Sequence, residues 1–446
     1  MTDPATPARF PFPVEADVRP PSRYRDLLAT GAPYPVQLTS GRPALLITRH
    51  EDVTAVLGDD RFSRAGYAAL ARPLLARDAD SLPLVTADAP HHTRRRRAVQ
   101  PAFTARRVRR LLPRLEQLAD ELLDGLTAGA DHGTADLVGG YTVPFAMRVI
   151  CEVLGVPFAD ADRLRREVDV LMSTTGHTPE EAAAAQARMN DYFTGLIAEK
   201  RRAAEEHRAV EARRPADART GTDGADPAAP APVPVTAPTT DVLTALVTQP
   251  PEDPDRHLAP KEAVALASGM LMAGYETTGN SFAMCVLLLL RHPALTARLR
   301  ADPALIPAAV EEMLRWTSLN NTGGAPHLVT EDTVLGGCPV RAGQVVVPLT
   351  DAANRDPARF ADPDAFDPDR PDAGGHLAFG HGRHLCPGAE LARAELRIGI
   401  AALLRRFPVL ELAATEDELD WRRTMFINGV WRLPVRWALG TGERPE

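Results

Sequence analysis

Lysine is nearly missing from this chain: only Lys200 and Lys261 occur among 446 residues. The basic charge is arginine, and acidic residues outweigh it, leaving a formal net charge of −8. That balance argues against a general nucleic-acid binder. Cysteine is scarce too, with four residues, Cys151, Cys285, Cys338 and Cys386. They are too few and too scattered for a disulfide framework. None falls in a C-x-x-C pair, so a structural zinc site is not expected. Residues 1–21 are rich in proline and charge and lack the apolar segment of a signal peptide. The most apolar stretch, 263–290, is interrupted by Gly269, Gly274, Glu276, Gly279 and Asn280. A carboxylate inside a bilayer is costly, so the stretch reads as a buried helix rather than a membrane span. A cytoplasmic protein that binds no membrane is expected.

What is present is enough apolar material for a sizeable core, 44% of the residues. Residues 18–60 read as a short helix followed by two strands about a Gly41-Arg42 turn. From 91 to 299 the apolar spacing is mostly helical, broken by Pro and Gly. Short strand-like runs follow at 333–335 and 344–347, then a Pro/Asp-rich meander over 356–372, a further helix, and a last hairpin over 425–437. The expected fold class is mainly α with a minor antiparallel β region, an α+β arrangement in one domain spanning 1–446. Residues 202–240, rich in Ala and Pro and without Phe, Trp or Tyr, read as a disordered insertion between helices. The rival reading is a helix to about Arg214 with a flexible tail.

The chemistry concentrates at Cys386, within Phe379-Gly380-His381-Gly382-Arg383-His384-Leu385-Cys386-Pro387-Gly388-Ala389. A cysteine in a glycine-shaped loop that opens onto a helix N-terminus is biased toward the thiolate. A thiolate is the ligand a soft metal needs.

This loop resembles the haem-binding segment of the cytochrome P450 family, Phe-x-x-Gly-x-x-x-Cys-x-Gly, with Phe379, Gly382, Cys386 and Gly388 in the fixed positions. The resemblance implies haem b with Cys386 as the metal ligand, and Phe379, Gly380 and Gly388 among the residues around it. Gly382 and Gly388 would let the backbone approach the sulfur. A second match, Ala273-Gly274-Tyr275-Glu276-Thr277-Thr278, resembles the family's oxygen-activating segment. There Thr277 and Glu276 would manage proton delivery, and the small Ala273 and Gly274 would leave room for a diatomic ligand on iron. Thr277 can also return its hydroxyl to the Ala273 carbonyl and loosen the helix. A third, Glu312-x-x-Arg315, matches a structural pair of the family. Its residues share a helical face.

His92 and Arg96, four apart on one face, would bind haem propionates together with His384 and His327. Arg94, Arg95 and Arg97 in the same run read as a solvated face. Relatives usually carry arginine where His327 stands. A histidine there titrates near neutrality, so haem retention is expected to weaken above about pH 7. Pro387 withdraws one N–H from the neighbourhood of the sulfur. A more electron-rich thiolate and a lower potential are expected.

The resemblance implies a monooxygenase that inserts one atom of O2 into a small hydrophobic organic substrate. A mid-sized natural product such as a polyketide or terpenoid is favoured. The electron donor would be an acidic ferredoxin docking on a basic proximal face that includes Arg106, Arg107, Arg109, Arg110 and Arg114. The pocket is expected from the loop 65–88, the segment 319–324, Gly269, Met270, Met272, Asn321 and Phe426. Oxidative coupling, desaturation, a peroxygenase or a non-enzymatic haem-thiolate sensor are the alternatives.

Overall fold

A computed structural model describes residues 7–13, 15–71, 83–213, 241–248 and 258–439. Among these, helices dominate: α1 (Arg23–Thr30), α2 (His50–Gly58), α3 (Arg64–Ala71), α4 (His91–Val99), α5 (Ala105–Thr127), α6 (Val143–Leu154) and α7 (Ala161–Leu171) precede the long α8 (Pro179–Arg213). After α9 (Val242–Thr248) come α10 (Pro260–Arg291), α11 (Pro293–Ala301), α12 (Ile306–Trp316), α13 (Thr350–Ala353) and α14 (Ala389–Arg406). The strands are short: β1 (Ala8–Phe10), β2 (Tyr34–Leu38), β3 (Pro43–Ile47), β4 (Phe62–Ser63), β5 (His132–Asp136) and β6 (His327–Val329). They continue with β7 (Thr333–Leu335), β8 (Cys338–Val340), β9 (Val345–Pro348), β10 (Val409–Leu412) and β11 (Pro434–Ala438).

The expected α+β class holds, with one refinement. The six-stranded sheet, ordered β1-β2-β3-β9-β6-β4, is mixed: β1–β2 and β3–β9 run parallel and the other pairs antiparallel. Strands far apart in the chain are free to pair in either direction, whereas tight hairpins impose antiparallel pairing. The Gly41 turn does make the β2–β3 hairpin, with Tyr34 opposite Leu46. The expected last hairpin does not form. β11 pairs instead with β10 and β5, and residues 425–427 are held by isolated bridges to Ser173 and Asn320.

Of the proposed insertion, residues 202–213 are helical, as the last three turns of α8. Their Ala, Glu and Arg content favours a helix, so the rival reading describes this part better. Residues 214–240 lie outside the described residues.

α10 organises the core. Pro260 occupies its first turn, and the Glu262 carboxylate accepts the Ala259 N–H at 2.9 Å. From Phe282 to Leu289 it is completely enclosed. It crosses α6 at two glycines. A Cβ on Gly274 would lie 2.5 Å from Ile150, and one on Gly279 would lie 3.1 Å from the Val143 backbone. No single described helix is long and apolar enough to cross a membrane.

Candidate active site

The Cys386 loop is shaped by its glycines. Gly380 and Gly382 take φ of 74° and 66°, which reverses the chain and returns the Cys386 N–H to the Phe379 carbonyl at 2.9 Å. Gly382 serves a contact other than the expected one. A Cβ there would lie 2.6 Å from the Leu57 carbonyl oxygen of α2 and does not concern the sulfur. A Cβ on Gly388 would sit 4.0 Å from the sulfur, an ordinary contact. Gly388 acts through its N–H, which donates to Cys386 Sγ.

The expected bias of Cys386 toward the thiolate is not met in the haem-free chain: burial pushes the thiol up and outweighs the opposing Gly388 N–H, Arg96 and Arg393. A cleft of about 580 Å³ opens beside the sulfur, lined by Arg96, Phe103, Phe379, His381 and Arg393, with no residue of α10 in its wall. The Arg393 guanidinium covers the Phe379 ring at 4.6 Å.

Above this loop lies a cationic basin. His92, on α4, is 3% exposed, and its ring lies 4.2 Å from that of His384. His92 Nε2 is buried without a hydrogen-bond partner among the described residues. Arg96 Nη1 donates to the Leu385 carbonyl, tying α4 to the Cys386 loop.

His327 is 2% exposed, and its Nε2 accepts from Arg64 Nε at 3.0 Å. Burial first, then neighbouring guanidinium groups, push His92 down to about 4 and His327 down to about 3. In the haem-free chain His327 is therefore neutral at physiological pH rather than titrating there as expected. Arg64 is also depressed, to about 10, by burial. It carried no signal in the sequence beyond the arginine missing at position 327. Cations and neutral imidazoles gathered around an orphan ring nitrogen suit a ligand with carboxylates.

On α10, Gly269, Ala273 and Thr277 form an accessible stripe at i,i+4 spacing. Gly269 has open space where a side chain would be. Thr277 Oγ1 donates to the Ala273 carbonyl at 2.5 Å, as its sequence predicts. Gly274 is off this stripe and faces Ile150 of α6, so its small size serves helix packing rather than a diatomic ligand. Met270 is 8% exposed within the core, and Met272 packs against the same core. Neither belongs to the accessible stripe.

Glu276 is 1% exposed and bonds Arg422 Nη2. Burial outweighs Arg422 and raises it to about 7. The Asn321 side-chain amide is committed to the protein: it donates to the carbonyls of Arg422 and Met425 at 3.0 and 2.9 Å. Phe426 beside it is 38% exposed. Much of the expected 65–88 pocket loop, residues 72–82, lies outside the described residues.

Two charged elements support the site. Glu312 and Arg315 are fully enclosed and joined by hydrogen bonds of 2.7 and 2.8 Å, and Arg315 donates to the meander carbonyls of Asn354 and Pro363. Arg95 is not on a solvated face as expected. It is 1% exposed and pairs with the fully buried Glu262 of α10 at 3.2 Å, and Arg94 bonds the same carboxylate. Arg97 is exposed, as are Arg106, Arg109 and Arg110 along α5. Arg114 is withdrawn from the basic patch by Glu152 and Glu121.

A mainly helical fold of this order, with a cysteine loop leading into α14 and a threonine bonded back to a carbonyl of α10, defines a haem-thiolate protein. The chain matches the sequence profile of the family described as Cytochrome P450 over residues 29–429. It is 39% identical to nocardicin C N-oxygenase of Nocardia uniformis subsp. tsuyamanensis, covering 96% of this chain and 98% of the relative. It is 38% identical to mycinamicin IV hydroxylase/epoxidase of Micromonospora griseorubida, covering 97% and 99%. The crystal structure of the LnmA cytochrome P450 hydroxylase, from the leinamycin biosynthetic pathway of Streptomyces atroolivaceus S-140, superposes with a TM-score of 0.79. That protein is 36% identical, with 96% of this chain and 99% of that one covered. The chain belongs to the cytochrome P450 family. It is a monooxygenase whose cofactor is haem iron and whose reaction uses O2, a small-molecule substrate and a redox partner.

Proposed function

We propose that this monooxygenase binds haem b through Cys386 and hydroxylates or epoxidises a mid-sized hydrophobic natural product in the cytoplasm. The observation that carries the cofactor assignment is the cationic basin beside the Cys386 loop, with the orphan His92 Nε2 at its centre. Its residues fit the group. Cys386 would supply the thiolate, and His92, Arg96, His384, His327 and Arg64 would hold the two propionates. The sequence has no C-x-x-C-H, the attachment motif of c-type haem, which supports haem b. Bound there, haem supplies the activation of dioxygen that a thiolate ligand favours.

The remaining work falls to side chains. Ala273 and Gly269 leave open space on the accessible face of α10 for substrate. Thr277 holds its hydroxyl proton toward the Ala273 carbonyl, where it would be available for transfer. Glu276, raised to about 7, carries a transferable proton at working pH. Phe379 and Arg393 pack together in the wall of the cleft beside the sulfur. Electrons would come from an acidic ferredoxin-type donor drawn to the exposed Arg106, Arg109 and Arg110 and to the neighbouring cleft. The relatives' names, nocardicin and mycinamicin oxygenases among them, support a natural-product substrate.

The test is turnover of the haem-loaded enzyme with ferredoxin, reductase, NAD(P)H and isotopically labelled O2, over candidates chosen by spin-state shift. One labelled oxygen atom in the product is expected. Oxidation without label in the product would favour coupling or desaturation instead.

A further inference from the structure

α4 is nine residues long, and no side chain caps its start at Pro90. A helix that short does not stand alone in water, so its place is set by what it touches. Its buried residues are His92, Arg95, Ala98 and Val99. At spacings of three and four they share one face. Ala98 and Val99 enter the apolar core, while the ring of His92 meets that of His384. Arg95 lies one turn from His92 on that face and directly before Arg96. A buried guanidinium is costly unless a carboxylate meets it.

Glu262 is that carboxylate, and three donors hold it. Its Oε1 accepts from Arg94 and from Arg95, whose Nε and Nη2 both lie 3.2 Å away. Its Oε2 accepts the Ala259 N–H at 2.9 Å. Glu262 stands in the first turn of α10, where the helix dipole favours a carboxylate. One side chain therefore caps α10 and grips α4. It also fixes where α4 stands along α10, because Ala273 of the accessible stripe is eleven residues further on, about 16 Å along the axis. At its other contact, α4 reaches the Cys386 loop through Arg96 and the Leu385 carbonyl. The short helix is thus strung between the two walls that face the haem site.

We propose that Arg95 and Glu262 are positioning residues for the haem: their buried ion pair sets α4 against α10 so that His92 and Arg96 meet the propionates. This rests on the reading of His92 and Arg96 as propionate anchors. Arg95 acts through its neighbours on the same turn, and Glu262 acts through Arg95. Two roles for Glu262 predict opposite signs. As a mere charge near an anionic ligand it repels the propionates, and Glu262→Gln slows haem loss. As the tie it keeps the anchors in place, and Glu262→Gln speeds haem loss. Glutamine keeps an acceptor for the Ala259 N–H, so the cap of α10 survives. Arg95→Leu keeps an apolar side chain in the core and leaves Glu262 with Arg94 and the Ala259 N–H, so this carboxylate is not stranded.

The test follows haem transfer from each loaded variant to a haem-free acceptor globin, beside the melting temperature of the haem-free chain and the carbon monoxide spectrum. Arg95→Leu and Glu262→Gln are each expected to lose haem about tenfold faster than wild type, as removal of a residue that orients a ligand does. The red-shifted carbonyl band persists in both, because Cys386 is untouched. Arg95→Lys, which keeps the charge, recovers most of the loss. Val36→Ala, in the separate apolar cluster of the six-stranded sheet, controls for lost stability: its melting temperature falls and its haem transfer stays at the wild-type rate. Wild-type transfer in both Arg95→Leu and Glu262→Gln, or slower transfer in Glu262→Gln, overturns the proposal. So does an acceleration in Val36→Ala that equals theirs at an equal drop in melting temperature. Should Arg95→Leu fail to fold, Glu262→Gln and Arg95→Lys decide. A wild type that binds haem without the red-shifted band sinks the thiolate reading, while the transfer rates still decide the pair. A wild type that binds no haem overturns both.

Discussion

Arg64 Nε donates a hydrogen bond to His327 Nε2 across 3.0 Å, joining the start of α3 to β6. The pair places a guanidinium where the residue at 327 alone would leave only a neutral ring. It also fixes the His327 tautomer, since an acceptor Nε2 leaves the proton on Nδ1.

Arg64 is thereby expected to hold a propionate. Arg64→Gln should raise the rate of haem transfer to a haem-free acceptor globin by about tenfold or more, the worth of a hydrogen bond to a charged group. His327→Arg in that background should recover much of the loss, because it returns the charge to the same place. An unchanged transfer rate in Arg64→Gln would show that the propionates are held without it.

The basin also predicts an acid sensitivity of the haem-free form. In the folded chain His92 and His327 are held neutral, down to about 4 and about 3, by burial and nearby guanidinium groups. In the unfolded chain they protonate near 6.5. Their contribution is therefore intact above about pH 6.5 and is lost as pH falls toward 4 and then 3. Haem carboxylates would offset that loss by favouring the charged rings. The melting temperature of the haem-free protein should drop more steeply than that of the loaded one between pH 6.5 and 4. Parallel curves would contradict this.

The sulfur of Cys386 receives the Gly388 N–H, while Pro387 has none to offer. Pro387→Leu adds a potential donor beside the thiolate and should raise the reduction potential. A potential equal to or below wild type, by spectroelectrochemistry, would oppose this reading.

Gly274 is a packing residue. Gly274→Ala puts a Cβ 2.5 Å from Ile150 and should destabilise the fold by about 1–3 kcal/mol. Ile150→Ala in the same chain should restore part of that. Loss of O2 binding without loss of stability would return Gly274 to the role its motif implied.

How much of this was legible in the sequence follows from what each residue answers to. The glycine turns of the Cys386 loop, the Thr277 back-bond and the β2–β3 hairpin obey local rules of spacing and turn chemistry and formed as read, whereas the roles given to Gly382 and Gly388 at the sulfur did not hold. The burial of Arg95 against Glu262, and the contact of Arg64 with His327, join residues about 170 and 260 positions apart. No local pattern distinguishes such an arginine from its solvated neighbours. The commitment of the Asn321 amide donors to the protein was hidden for the same reason: their partners, Arg422 and Met425, arrive from another segment. The glycines of α10 were ambiguous because small residues serve both ligand room and close helix packing. Only the position of α6 separates Gly269 from Gly274.

The most direct test of the central claim, that Cys386 is the thiolate ligand of the haem, is the absorption spectrum of the reduced protein under carbon monoxide. The intact enzyme should show the far red-shifted Soret band of a thiolate-bound carbonyl haem. Cys386→His should keep haem yet lose that band for the blue-shifted one of an imidazole ligand. A red-shifted band that survives in Cys386→His would contradict the account.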